Sequence, residues 1–291
     1  MLVCSPVEAY YLCRKAVGVQ GKSFRRRELF AIRVLARLNA LIGQQYIVLS
    51  RYLASVVRQH GARGPIALIP VYGVDTSIFK PATESKSVLR ARLGLPATGA
   101  LIFFSSRIAP EKDGETLLEA VRILLERGRD IWLLHRSGGY EGFLKDAERF
   151  GVAHRVIATD AVHPHLQLPE DYQACDLCVQ ASRAEGLGFS PLEALACEVP
   201  VIATAIGGLS ETIIDGQTGW TYPAGDARVL ASLIEVVLGG PQEATRRAAA
   251  GREMVRAVYE RRIVFEKLES LTLAKSLLKP ERAIASRKAE G

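Results

Sequence analysis

The sequence lacks what several large protein classes require. No apolar run approaches the ~20 residues needed to span a bilayer. The opening MLVCSPVEAYYLCRK has no basic-then-apolar order of the kind a secretory leader shows. Cysteine is scarce and odd in number, five in all: Cys4, Cys13, Cys175, Cys178 and Cys197. That count supplies no disulfide framework and points to a reducing, cytoplasmic setting. Cys175 and Cys178 form a C-x-x-C with no second pair to complete a zinc site. They straddle the start of an apolar segment and read first as buried thiols, with redox or metal chemistry as the alternative. His163-Pro164-His165 has no carboxylate at ligand spacing, so no metal is expected. No helix-turn-helix, zinc knuckle or aromatic RNA-binding motif is present, so nucleic acid is not an expected partner. No G-x-G-x-x-G follows the first regular strand, which argues against a dinucleotide-dependent dehydrogenase.

What is present is a basic chain of 291 residues with a net charge of +7, 48% hydrophobic and 24% charged. That composition describes a soluble globular protein, long enough for one large domain or two small ones. The positive balance suits anionic ligands such as nucleotide diphosphates, and anionic membrane surfaces.

From Ala100 onward strands and helices alternate. Ala100 to Ser106 reads as a strand, Arg107 to Lys112 as a loop, and Thr116 to Arg127 as an amphipathic helix stopped by Gly128. Ile131 to His135 is a strand, Ser137-Gly138-Gly139 a loop, Tyr140 to Phe150 a helix stopped by Gly151, and Arg155 to Ala158 a strand. A short helix ends over Asp171 to Ala174. This alternation predicts an α/β fold with a parallel, doubly wound sheet, whose ligands bind outside the carboxyl ends of the strands. Arg107 and Lys112 fall at that edge. Two cations there can hold a diphosphate, or can be salt-bridged or solvated instead.

The chain is organised around Asp176 to Gly208. Asp176 to Ser182 is an apolar strand, Arg183 to Phe189 a glycine-bearing loop, and Ser190-Pro191-Leu192-Glu193 a helix start with the residues of a capping box. A further strand runs from Val199 to Thr204. The unpaired N–H groups and positive dipole of a helix start facing a sheet edge attract phosphate. Glu185 and Glu193, with seven residues between them, can face one crevice and accept hydrogen bonds from sugar hydroxyls. The plainer reading makes Glu193 only a cap and Glu185 a solvated loop residue.

Flanking segments are less regular. Phe24 to Leu41 has helical apolar spacing with arginines at 25, 26, 27, 33 and 37. Its basic face is solvated, faces another domain, or meets anionic lipid. Tyr46 to Leu49 and Ile66 to Ile69 are strand candidates, with Ser50 capping a helix to about His60 and Gly61 ending it. Asp215 to Gly219 reads as a tight turn, Asp226 caps a helix from Ala227 to Leu238, and the tail from Pro241 is basic and helical, fraying from Lys279 to Gly291.

The segment EGLGFSPLEALACEVPVIATAIGGLSE closely resembles the signature of the retaining, nucleotide-sugar-dependent glycosyltransferases of family four, which have the GT-B fold. The resemblance runs from about Ile47 to about Leu238. It includes Pro70-Val71-Tyr72-Gly73-Val74-Asp75, where Tyr72 replaces the family's asparagine. Glu198 and Asp160 stand where the family usually has glycine, and Asp113 follows Lys112 where it tends to have glycine or asparagine.

The resemblance implies that residues 1–80 are an incomplete remnant of the N-terminal, acceptor-side α/β domain and linker. Residues 81–260 are then the Rossmann-like donor-binding domain and 261–291 a C-terminal helix and tail. The first strands and the usual catalytic histidine segment would lie upstream of Met1. It implies Arg107 and Lys112 on the donor's pyrophosphate, the Val162 backbone at the nucleobase, and Glu193 on the ribose. Glu185, with the backbone of Leu187, Gly188, Phe189 and Ser190, would meet the transferred sugar and the phosphates, so Glu185, Arg107 and Lys112 become the catalytic candidates. The expected activity is sugar transfer with retention from a nucleotide diphosphate sugar to a glycan, lipid or small molecule. The setting is cytoplasmic carbohydrate biosynthesis, with peripheral contact at the inner face of an anionic membrane as a further option. Neither a cofactor nor a metal is expected. A non-catalytic donor-binding half needing a partner is the alternative, and an epimerase on a similar fold is a third.

Overall fold

The computed structural model describes residues 2–3, 26–43, 45–160 and 164–277. Two wholly parallel sheets organise them. The smaller consists of β1 (Leu2–Val3), β2 (Tyr46–Val48) and β3 (Ile66–Leu68), in that spatial order. Helices α1 (Arg26–Ile42) and α2 (Arg51–Gln59) accompany it. Ser50 caps α2 as the sequence predicts, its hydroxyl accepting from Leu53 N at 3.2 Å. Leu53, Val56 and Val57, at helical spacing, bury one face of α2 against Tyr46 and Val48.

The larger sheet is built from β4 (Ala100–Phe104), β5 (Ile131–Arg136), β6 (Val156–Thr159), β7 (Leu177–Gln180), β8 (Val201–Thr204) and β9 (Trp220–Tyr222). Its spatial order is β6-β5-β4-β7-β8-β9. The chain therefore steps outward from β4 to β6, then returns to β7 on the other side of β4. That reversal makes the β4/β7 boundary the place where a crevice opens at the carboxyl ends. Both faces of the sheet are covered, which is why its strands read as unbroken apolar runs rather than alternating ones. Ile102 and Phe104 point to one face, with Leu117, Val121 and Leu124 of α4 (Gly114–Glu126). Leu101 and Phe103 point to the other, with Leu192 and Leu195 of the helix that follows β7.

The remaining helices are α3 (Lys86–Arg92), α5 (Tyr140–Arg149), α6 (Pro164–Ala174), α7 (Phe189–Ala196), α8 (Leu209–Thr212), α9 (Ala227–Gly239), α10 (Pro241–Met254) and α11 (Arg261–Leu277). Asp226 caps α9 through Val229 N at 3.0 Å. The last helix returns to the small sheet, burying Val264 with Ile47 and Ile69. The segment after β3 is stitched to the start of this helix by Val74 N to Tyr259 O (2.7 Å) and Arg261 N to Val74 O (2.9 Å). Gly73 is required there: its φ is +58° and a Cβ would lie 2.5 Å from the Arg261 Cα.

Two elements depart from the sequence reading. Pro164 and His165, which read as loop, begin α6, and α6 keeps Pro169 inside it. The three-residue edge strand β9 is too short to show a pattern and is recruited by pairing with β8, Ala203 opposite Thr221. Cys175, Cys178 and Cys197 are free and buried, and burial pushes their thiols well above the usual range. Cys4, Cys13, Val162, His163 and Lys279 to Gly291 lie outside the described residues. Among the described residues no helix is long and apolar enough to cross a membrane.

Candidate functional site

The carboxyl edge at the β4/β7 boundary is formed by two loops. The loop after β4 carries Arg107, whose exposed guanidinium lies 3.7 Å from Glu111. It tightens into a 3₁₀ turn over Pro110–Lys112 and leaves through Asp113 at φ +50°. Aspartate is one of the few side chains that tolerate this left-handed conformation. Here its carboxylate is fixed from two sides, by Thr116 Oγ1 at 2.6 Å and Arg183 Nε at 2.7 Å. Arg183 N also donates to Glu111 O at 2.8 Å. The Asp113-Gly114 step therefore ties the β4 loop to the β7 loop.

The loop after β7 carries Glu185. Its carboxylate holds the Lys112 ammonium in an ion pair whose side chains are 16% and 15% exposed. It also accepts from Gly186 N at 3.2 Å and, at the margin, from Ser182 Oγ at 3.5 Å. Gln180 Nε2 donates to both Ser182 Oγ (2.7 Å) and Ser106 Oγ (3.1 Å). A line of polar side chains thus runs under the crevice from Ser106 to Lys112, each member fixing the next.

Residues remote in sequence pin the same loop. Gly208 N donates to Glu185 O at 3.1 Å. A Cβ on Gly208 would stand 2.1 Å from Gly186 O, and one on Gly207 2.3 Å from Glu185 O. From the small sheet, Ser50 Oγ donates to Gly186 O at 2.6 Å. Glu211, just beyond, accepts from Arg51 N (2.9 Å) and Tyr52 N (2.7 Å), capping α2 across a gap of 160 positions. The two sheets therefore meet where Glu185 sits.

The start of α7 corrects the capping box expected at Ser190. Gly188, at φ +89°, is the N-cap, the helix begins at Phe189, and no side chain caps it. Left-handed glycine turns the chain into the helix two residues sooner than Ser190 would. The first-turn N–H groups have no partner within the helix, and Ser190 lines the crevice. Glu193, released from capping, accepts instead from Tyr172 Oη at 3.0 Å. Burial raises its carboxyl to about 7, opposed by the Tyr172 bond. Leu187 is buried, and Phe189 packs edge-on against Tyr72 at 5.6 Å between ring centroids.

A cleft of about 370 Å³ extends along this edge, with Ser106, Arg107, Arg136, Asp160, Ser190 and Glu193 among its lining residues. A second, of about 180 Å³, lies beside it and shares Arg107 with Lys112 and Phe143. The expected cations and carboxylates thus share one rim: Arg107 with Glu193 and Ser190 in the cleft, Lys112 against Glu185. Val162 is outside the described residues. Sequence reasoning missed Arg136, Tyr172, Gln180, Arg183 and Glu211. For Arg136 a signal existed, since it is a cation closing an apolar run before Ser-Gly-Gly, the pattern that singled out Arg107. The others are visible only through partners far along the chain.

Comparison with known proteins points one way. The family model described as "Glycosyl transferases group 1" matches residues 85–254. The GDP-mannose-dependent alpha-(1-6)-phosphatidylinositol monomannoside mannosyltransferase of Mycolicibacterium smegmatis is 33% identical over 214 residues, covering 70% of this chain and 55% of that protein. The D-inositol 3-phosphate glycosyltransferase of Arthrobacter sp. is 33% identical over 235 residues, covering 78% and 54%. The chain spans about half the length of these relatives. Among solved structures, sucrose-phosphate synthase from Thermosynechococcus elongatus matches with a TM-score of 0.77 at 27% identity, covering 91% of this chain and 66% of the other. The Anabaena protein HepE, solved with UDP-glucose, matches with a TM-score of 0.74 at 22% identity, covering 84% and 68%, a likeness of fold.

Proposed function

The chain belongs to the glycosyl transferases group 1 family, and from that premise we propose that it is the donor-binding half of a retaining glycosyltransferase acting on a nucleotide diphosphate sugar. The observation that carries this reading is the meeting of the Arg107–Lys112 loop with the Glu185 loop at the sheet's switch point, where Lys112 and Glu185 touch. Arg107 and Lys112 neutralise the departing diphosphate, with the N–H groups at the α7 start adding fixed dipoles. Glu193 accepts from the ribose hydroxyls, and Glu185 from hydroxyls of the transferred sugar.

Transfer then breaks the bond between the anomeric carbon and the diphosphate oxygen, and an acceptor hydroxyl forms its new bond on the same face. That hydroxyl's proton passes to the departing phosphate oxygen, so no enzyme nucleophile is required. The donor is bound without a cofactor. The acceptor is a hydroxyl-bearing glycan, lipid or small molecule. The relatives' names mention GDP-mannose and inositol phosphate, and one neighbour was solved with UDP-glucose. Their common element is the nucleotide sugar, and that class alone is carried over here.

Calorimetry of UDP and GDP binding tests the reading. Arg107→Ala and Lys112→Ala are expected to weaken whichever nucleotide binds by about 10–100-fold each, the worth of a charge-assisted bond, with unchanged far-UV circular dichroism. Equal affinity in variants and wild type would remove the diphosphate from this site. Sugar release or transfer by the chain itself separates an enzyme from a half that holds the donor without turning it over.

A further inference from the structure

The cleft continues past the diphosphate positions, over the ends of β5 and β6, and two ionic side chains stand there. Arg136 closes β5 directly opposite Thr159 of β6, and Asp160 is the next residue along. Both line the cleft. The Arg136 side chain is only 9% exposed. Its Nη1 donates to Thr159 Oγ1, and its Nε lies 3.4 Å from the fully buried Asp171 carboxylate. Among the described residues Nη2 has no such partner. Asp160 is exposed, and its Oδ1 lies 3.8 Å from where a Cβ on Gly138 would stand, beside the Ser137-Gly138 turn that follows Arg136.

A donor whose diphosphate lies over the β4/β7 boundary and whose ribose meets Glu193 extends its base along the cleft that Glu193 shares with this pair. The pair is chemically selective. A carboxylate only accepts, and a guanidinium only donates. Guanine alone among the common bases offers adjacent N1–H and N2–H donors to a carboxylate, together with O6 and N7 acceptors to a guanidinium. Uracil presents one N–H between two carbonyl oxygens, so a carboxylate aligned on that N–H meets an acceptor on each side. Adenine has no hydrogen on N1.

We propose that Arg136 and Asp160 read the base of the donor, and that the donor is therefore a guanosine diphosphate sugar. The inference rests on the donor-binding reading above and deepens it. Asp171 serves as a positioning residue that anchors Arg136 from beneath.

Calorimetry with GDP, UDP and inosine diphosphate, which lacks the 2-amino group, tests it on the chain as it stands. GDP is expected to bind at least about tenfold more tightly than UDP, with inosine diphosphate between them, because a site built around a hydrogen-bonding group rejects the analogue without it. Asp160→Asn is expected to bring GDP down to the UDP level while leaving UDP unchanged. Being exposed, that position spares the fold. Arg136→Lys, which keeps the charge and loses the fork, is expected to reduce GDP binding about tenfold with the melting temperature retained. UDP binding as tightly as GDP, or Asp160→Asn weakening both alike, overturns the base assignment and leaves the donor site standing. Failure of every nucleotide to bind overturns the donor site itself.

Discussion

Lys112 and Glu185 clasp one another across the switch point, the lysine from the loop after β4 and the glutamate from the loop after β7. Each is mostly shielded from water, and each is held in line by further contacts: Lys112 N to Ala109 O at 2.8 Å, Glu185 to Gly186 N at 3.2 Å. A diphosphate reaching Lys112 competes with the carboxylate for it, whereas a sugar hydroxyl reaching Glu185 does not.

The two partners should therefore separate by assay. Glu185→Gln is expected to leave nucleoside diphosphate affinity unchanged or raise it a few-fold, because the ammonium loses its competitor. Where the chain turns over the donor, the same change should cut turnover by about 10–100-fold. Lys112→Ala should weaken both. Parallel losses of nucleotide affinity in the two variants would show that Glu185 does not stand apart from the diphosphate.

Glu193 gives a dependence on pH. Its folded carboxyl sits near 7, above its ordinary 4.5, chiefly through burial. The folded state thus holds more protons than the unfolded chain between about 4.5 and 7, so this group's contribution to stability falls as pH rises through that window. Glu193→Gln should flatten the decline in melting temperature between pH 5 and 7.5. Nucleotide affinity should move oppositely, rising through about pH 7 as the carboxylate forms to accept both ribose hydroxyls. The phosphate's own proton loss falls nearby, as does that of Asp171, raised to about 6 by burial. Those two are common to both proteins, so the difference between wild type and Glu193→Gln isolates the ribose contact. Parallel pH curves would remove Glu193 from the ribose.

Much of the larger sheet was legible because its strands are buried on both faces and its helices begin and end on local signals such as Asp226, Gly128 and Gly151. Ser50 likewise capped α2 as its spacing implied. Strand-end placement and resemblance singled out Arg107, Lys112, Glu185 and Glu193 as candidates, and their place at the sheet's carboxyl edge was legible. What holds them was not. The Arg183–Asp113 and Glu211–Tyr52 contacts join residues 70 and 159 positions apart, and no local pattern encodes such pairs. Ser190 misled because capping chemistry is read from side chains, whereas a left-handed Gly188 starts the helix with backbone freedom alone.

The glycine pair after β8 makes the last prediction, and two glycines separate its possible causes. Gly208 has φ −70° and ψ −18°, a conformation any residue adopts, so an alanine there suffers only what its Cβ meets. That is the Gly186 carbonyl oxygen at 2.1 Å, a backbone atom of the very loop that carries Glu185. Gly216, in the turn before β9, is the reverse: φ +77° with nothing within 4 Å of its Cβ position. Gly216→Ala should cost about 1 kcal/mol of left-handed strain and leave nucleotide affinity intact. Gly208→Ala should cost about 1–3 kcal/mol by overpacking and weaken nucleotide binding as well, because relief of the clash moves the Glu185 loop and the α7 start behind it. Thermal denaturation gives the first quantity and calorimetry the second. Should Gly208→Ala lose stability yet bind nucleotide like the wild type, then the Gly207-Gly208 contact supports the fold without positioning the site, and Ser50, through Gly186 O, is left to hold the loop from the other side.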